Sequence, residues 1–152
     1  MHQPTQLDRA GIAARIPHQG SMCLLDSLLA WDPAAIHCRA VNQADPEHPL
    51  RSPQGLYAAV GIEYAAQAMA LHGALAAGQG EPAQAGFLAA ARQVTLHQPR
   101  LDNVPGPLDV RCERLAGDAG QALYGFELRD AAGRLLVDGR ASVVFNSPLI
   151  AS

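Results

Sequence analysis

Residues 56–77 read LYAAVGIEYAAQAMALHGALAA, and the fold turns on how this stretch is covered. A helix on a protein surface carries one apolar stripe. Here Leu56, Tyr57, Val60, Ile62, Tyr64, Met69, Leu71 and Leu75 point in many directions, and alanines fill the gaps. A helix that is apolar nearly all round belongs in an interior. The spacing predicts one helix from Leu56 to Ala77, about 33 Å long at 1.5 Å per residue. Such a length nominally crosses a bilayer. It is mostly alanine, however, and a carboxylate in mid-span costs about 2.5–3.5 kcal/mol on insertion scales. A soluble, cytoplasmic protein with a sheet curled around this helix is the expectation, with no membrane span. The first residues, Met1 to Gln6, show no basic start followed by an apolar run, so no signal peptide is read.

Outward from the helix, Gly78-Gln79-Gly80 and then Glu81-Pro82 read as a helix stop. The second half of the chain reads as four strands: 87–97, 108–115, 122–128 and 135–145. The segment 108–113 alternates Leu108, Val110 and Cys112 with Asp109, Arg111 and Glu113, the period of a half-buried strand. Residues 116–120 and 130–133 supply hairpin turns. Upstream, residues 7–16 predict a short helix closed by Pro17. The runs 22–30 and 36–41, joined through Asp32-Pro33, predict an antiparallel hairpin. A proline-rich loop, 42–54, then delivers the chain to the long helix. One dominating helix with a run of antiparallel strands is an α+β layer architecture. The 152 residues are expected to form a single domain, 1–152.

Composition narrows the chemistry. Hydrophobic residues make up 49% of the chain and charged residues 16%, with a net charge of −3. There is no general attraction for nucleic acid or an anionic membrane. All 11 basic residues are arginine, which excludes a Schiff-base lysine and a phosphate-loop lysine. Cys23, Cys38 and Cys112 are far apart and form no C-x-x-C, so they read as buried strand residues. The six histidines show no metal-ligand spacing, and no metal is expected. Neither a G-x-S-x-G serine motif nor a dinucleotide fingerprint occurs.

The helix carries a single charge, Glu63, with Gln67 one turn on along the same face. Desolvation favours the neutral form of a carboxyl group. A lone acid among alanines is therefore a candidate functional group with a raised pKa. Gly61 is expected to let a ligand approach the backbone beside it.

Four motifs carry a resemblance. Ile16-Pro17-His18 followed by Met22-Cys23-Leu24-Leu25-Asp26, then Gly61-Ile62-Glu63-Tyr64-Ala65-Ala66-Gln67, then Gly86-Phe87-Leu88, and Val104-Pro105-Gly106-Pro107-Leu108 occur in order. Together they resemble the 3-hydroxyacyl-[acyl carrier protein] dehydratases of the hot-dog fold. Within these the chain looks most like the dehydratase-like subfamily of aryl polyene clusters. The resemblance implies a curved antiparallel sheet wrapped around one central helix. It implies a substrate carried on the phosphopantetheine of an acyl carrier protein, with no other cofactor. It also implies a dimer, with a histidine of one protomer facing the acid of the other. Glu63 is then the acid, and Gly61, Ile62, Gln67, Gly86 and Phe87 are substrate-binding. The family's usual G-H-F-P-G histidine loop is replaced by Glu47-His48-Pro49-Leu50-Arg51, so His48 and His18 both stand as candidate partners of Glu63.

Loss of water from a 3-hydroxyacyl thioester needs a base at the α-carbon and an acid at the hydroxyl. Neutral histidine suits the base, and a carboxyl group with a raised pKa suits the acid. Backbone N–H groups at the helix N-terminus suit the thioester oxygen. Two other readings stand beside this one: a thioester hydrolase on the same fold, and a non-catalytic subunit that completes the tunnel of a different hot-dog partner.

Overall fold

The computed structural model describes residues 4–77, 86–118 and 120–145. A short helix, α1 (Arg9–Ala13), is capped by Asp8, whose side chain accepts from the Gly11 N–H at 2.9 Å. The predicted hairpin follows as β1 (Ser27–Asp32) and β2 (Ala35–Ala40). Its turn is built by Asp32, whose Oδ1 accepts from the N–H groups of Ala34 and Ala35. After the loop comes the central helix, α2 (Gly61–Ala76), and then β3 (Gly86–Leu96), β4 (Leu108–Gly117), β5 (Gln121–Arg129) and β6 (Leu135–Phe145). All strand pairs are antiparallel and form one six-stranded sheet in the order β1-β2-β4-β5-β6-β3. The predicted glycine-rich helix stop lies outside the described residues.

Alternation decides which face of the sheet meets the helix. Ile36, Cys38 and Ala40 of β2 are buried, as are Leu108, Val110 and Cys112 of β4, Ala122, Tyr124, Phe126 and Leu128 of β5, and Ala141 and Val143 of β6. These residues close over α2, where the side chains from Tyr64 to His72 are buried without a break. The three cysteines are free and buried, as a small apolar role requires. Helix alanines let the sheet come close, and at two places a methyl group is crowded, at Gly73 to the point of overlap. A Cβ on Gly61 would stand 3.1 Å from Val137 Cγ2 and 3.2 Å from Leu128 Cδ2, and one on Gly73 would run into the Phe145 ring.

The helix is shorter than the apolar run predicts. Its 16 residues span about 24 Å. Residues 56–58 are diverted to the chain after β3: Leu101 N–H donates to Leu56 O, Ala58 N–H donates to Pro99 O, and the Leu56 N–H goes to the Asp102 carboxylate at 2.8 Å. A 3₁₀ turn (Ala58–Val60) then leads into α2. Backbone groups committed to a neighbouring segment cannot join a helical ladder. The consequence is that Glu63 sits in the first turn of α2 rather than in mid-helix. Among the described residues no helix is long and apolar enough to cross a membrane.

Candidate active site

Gln67 organises the site. It is fully buried on α2 and engages the loop that follows α1: its Oε1 accepts from the Leu24 N–H at 2.8 Å, and its Nε2 donates to the Met22 carbonyl at 2.7 Å. Leu24 is fully buried, so its N–H would otherwise be left without a partner, and the clamp is favoured. Ile16, buried in the core, anchors the other end of the same loop. Between these anchors His18 is carried over the start of α2. Its Nε2 stands 3.2 Å from Glu63 Oε1, with side-chain exposures of 23% and 33%. Gln67 Nε2 also reaches Glu63 Oε1 at 3.4 Å. His18 and Glu63 therefore meet within one chain, on a face that still opens to solvent. His18 Nδ1, the other ring nitrogen, is buried and has no partner among the described residues.

The electrostatics reverse the expectation for Glu63. Its carboxyl is held below the usual carboxylate range, first by the hydrogen bond with His18 and further by Gln67, against the opposing pull of burial. The first turn of a helix also favours negative charge. Glu63 is therefore a carboxylate at neutral pH, in the form that can accept a proton, though the same lowering makes it a weaker base than a free carboxylate. The expected raised pKa assumed an acid deep among alanines. A site at the helix entrance, with a histidine already in contact, is a different environment.

His48 is not brought to Glu63. It is buried, and its Nδ1 accepts from the Leu50 N–H at 3.1 Å, which leaves the proton on Nε2 to be donated to Tyr64 Oη at 3.0 Å. Tyr64 in turn donates to Asn42 Oδ1 at 2.6 Å. Burial lowers the His48 pKa, so the ring is neutral with both nitrogens occupied. The group locks loop 42–54 onto α2, and a catalytic base would need a free nitrogen. Tyr64 follows Glu63 directly, but successive helical residues point about 100° apart.

Gly61 does not open the backbone to a ligand. Its missing side chain faces Val137 and Leu128, and its N–H is taken by the carbonyls of Ala58 and Ala59. The helix start therefore does not offer that group to a substrate oxygen. Ile62 is half-buried against the core at the same end. Gly86 and Phe87 open β3, pairing with Phe145 and Val144, and their side chains lie outside the described residues. Asn42 and the carbonyl of Met22 carry no sequence signal of their own; a polar loop residue and a backbone group become visible only through their partners. Among the described residues no three His, Cys, Asp or Glu side chains gather where they would hold a metal ion.

A family model, ApeP-like, described as ApeP dehydratase, matches residues 10–149. The chain belongs to the ApeP-like dehydratase family. Solved structures place this chain among hot-dog folds. A chain of the dehydratase heterocomplex ApeI:P from Xenorhabdus doucetiae superimposes with a TM-score of 0.81 at 24% identity, covering 92% of this chain and 95% of that one. The thioesterase HI1161 from Haemophilus influenzae gives a TM-score of 0.67 at 15% identity over 97% and 96% of the two chains. AziG from S. sahachiroi gives 0.60 at 19% identity over 80% and 90%. No curated protein sequence matches the chain.

Proposed function

We propose that this chain eliminates water from a 3-hydroxyacyl thioester carried on an acyl carrier protein, giving the trans-2-enoyl thioester. The observation that carries the reading is the contact of His18 with Glu63 on a solvent-open face at the head of α2. Glu63, already ionised, takes the α-proton. His18, in its imidazolium form, gives a proton to the departing hydroxyl, which leaves as water while the carbon–carbon double bond forms. Glu63 is then a neutral acid beside a neutral imidazole, and transfer of that proton across the 3.2 Å contact resets the pair. A positioned acid or base of this kind contributes about 10²–10⁴-fold. The phosphopantetheine arm carries the substrate and takes no part in the bond changes.

The partner in this reading is a second hot-dog subunit, alike or different. Strand β3 is an edge with 11 residues, paired with β6 on one side only. A long open edge of this kind favours pairing with another chain. The most similar of the structures named above comes from a heterocomplex, which supports a different subunit as that chain. The compartment fitting a carrier-protein substrate is the cytoplasm.

One observation favours a second reading. An ionised Glu63 is equally suited to activating water at the thioester carbonyl, and the likeness to HI1161 fits a hydrolase. Mass spectrometry of a 3-hydroxyacyl carrier protein incubated with the chain, alone and with a hot-dog partner, separates the outcomes. Loss of one water from an intact thioester supports elimination. Release of free carrier thiol selects hydrolysis. Turnover that needs the partner and ignores Glu63→Gln in this chain assigns it a non-catalytic role.

A further inference from the structure

The sheet face turned away from α2 carries a charge pattern that the Glu63 site does not use. Two neighbouring rows cross β4, β5 and β6. Arg111, Glu127 and Asp138 are in register in one row, and Glu113, Gly125 and Arg140 in the next. All six line one groove of about 780 Å³. Arg111, Glu113 and Arg140 are exposed and form no ion pair among the described residues. Glu127 is held by its neighbour Arg129 at 3.0 Å, and Asp138 meets His97 at 3.4 Å. Gly125 floors the groove: a Cβ there would touch only Leu115, at 3.7 Å, and Leu115 is itself 44% exposed.

Within one chain Arg111 stands opposite Glu127, but two other pairings are unfavourable. Glu127 stands opposite Asp138, and Arg140 stands opposite Arg92 on β3. Like charges directly across a ladder destabilise a sheet. The signs run plus, minus, minus along one row and minus, none, plus along the other. A two-fold axis lying between the rows, in the plane of contact, sets each row over the other row of a second copy. Arg111 then faces Glu113, Asp138 faces Arg140, and Glu127 enters the space above Gly125. Each contact occurs twice, and no like charges in these rows meet.

We propose that this outer sheet face is a self-complementary docking surface for a second copy of this chain. Facing sheets lie about 10 Å apart, a gap that an arginine and a carboxylate reach across together. A surface that is its own complement is what an isologous interface requires. The contact is separate from the β3 edge and from Glu63, so it stands whether or not the reaction proposed above is the right one.

Sedimentation velocity at low ionic strength tests it with three variants. Arg140→Glu and Asp138→Arg each set like charges together, and each weakens self-association by about ten-fold or more. Gly125→Trp leaves every charge in place but fills the groove, and it abolishes the association made through this face while leaving any β3-edge pairing intact. A 1:1 mixture of Arg140→Glu with Asp138→Arg sets two negative side chains against two positive ones, so the mixed pair forms where neither variant pairs with itself. Recovery in the mixture cannot come from contacts within one chain. A wild-type mass unaffected by all three substitutions overturns the proposal. So does a mixture that stays apart, or a groove protected from labelling only when a different protein is added.

Discussion

His18 Nε2 lies 3.2 Å from Glu63 Oε1 in the same chain, and the loop bearing the histidine is pinned to the helix bearing the acid by Gln67. The depressed pKa of Glu63 has His18 as its largest cause. Replacing His18 with alanine is therefore expected to raise the Glu63 pKa toward the ordinary carboxylate range. Carbon-13 NMR titration of the labelled carboxyl group reads this directly. Because the folded pKa is lowered, the pair stabilises the fold above the unfolded carboxyl pKa, and that stability is lost as pH falls through the folded value. An unchanged titration in His18→Ala refutes the contact.

Gln67→Leu keeps the volume but strands the Leu24 N–H and the Met22 carbonyl. The Leu24 N–H, buried and left without a partner, costs about 1–3 kcal/mol. Release of the loop also moves His18, and a displacement near 1 Å costs about 10²-fold in rate. Denaturant melts and turnover should fall together. A loss of stability with unchanged turnover would detach Gln67 from the positioning of His18.

His48 and His72 make the fold sensitive to acid. His72 is buried, with Nε2 donating to the Asp32 carbonyl and Nδ1 accepting from Tyr124, both at 2.7 Å. Burial lowers the pKa of both histidines. The unfolded chain then binds protons that the folded one does not, so stability is lost as pH drops below the ordinary histidine value of about 6.5. Urea midpoints at pH 7.5 and 5.5 check this, and His48→Phe should flatten part of the slope. His48→Phe is also expected to leave kcat within about two-fold, since surface or core changes away from reacting groups act on stability.

Gly61→Ala distinguishes packing from ligand approach. The added methyl group crowds Val137 and Leu128. Overpacking costs about 1–3 kcal/mol, more than the helix-propensity gain of up to about 1 kcal/mol. The expected outcome is a lower melting temperature with KM unchanged. A raised KM at constant stability would restore Gly61 to the substrate path.

A sheet curled around α2 was legible because the helix is apolar all round and has few ways to be covered; the hot-dog fold itself came from the resemblance carried by the four motifs. Strand alternation at 108–113 placed the inner face of β4 correctly, with Leu108, Val110 and Cys112 buried. The shortened helix was not legible: Leu56 and Ala58 lose their helical partners to Pro99, Leu101 and Asp102, which are distant in sequence. That diversion moved Glu63 from mid-helix to the first turn and turned its expected pKa shift around. The choice between His18 and His48 likewise rested on where two loops fold back, which residue spacing along α2 does not encode. His48 finds Tyr64, and His18 finds Glu63.

The most direct test of the central claim is the single-turnover rate of water loss from a 3-hydroxyacyl carrier protein, measured for wild type, Glu63→Gln and His18→Gln. Each substitution is expected to slow the chemical step by about 10²–10⁴-fold, and the double variant by little more than either alone, because the two groups act as one unit. Undiminished water loss in a folded Glu63→Gln chain would contradict the account.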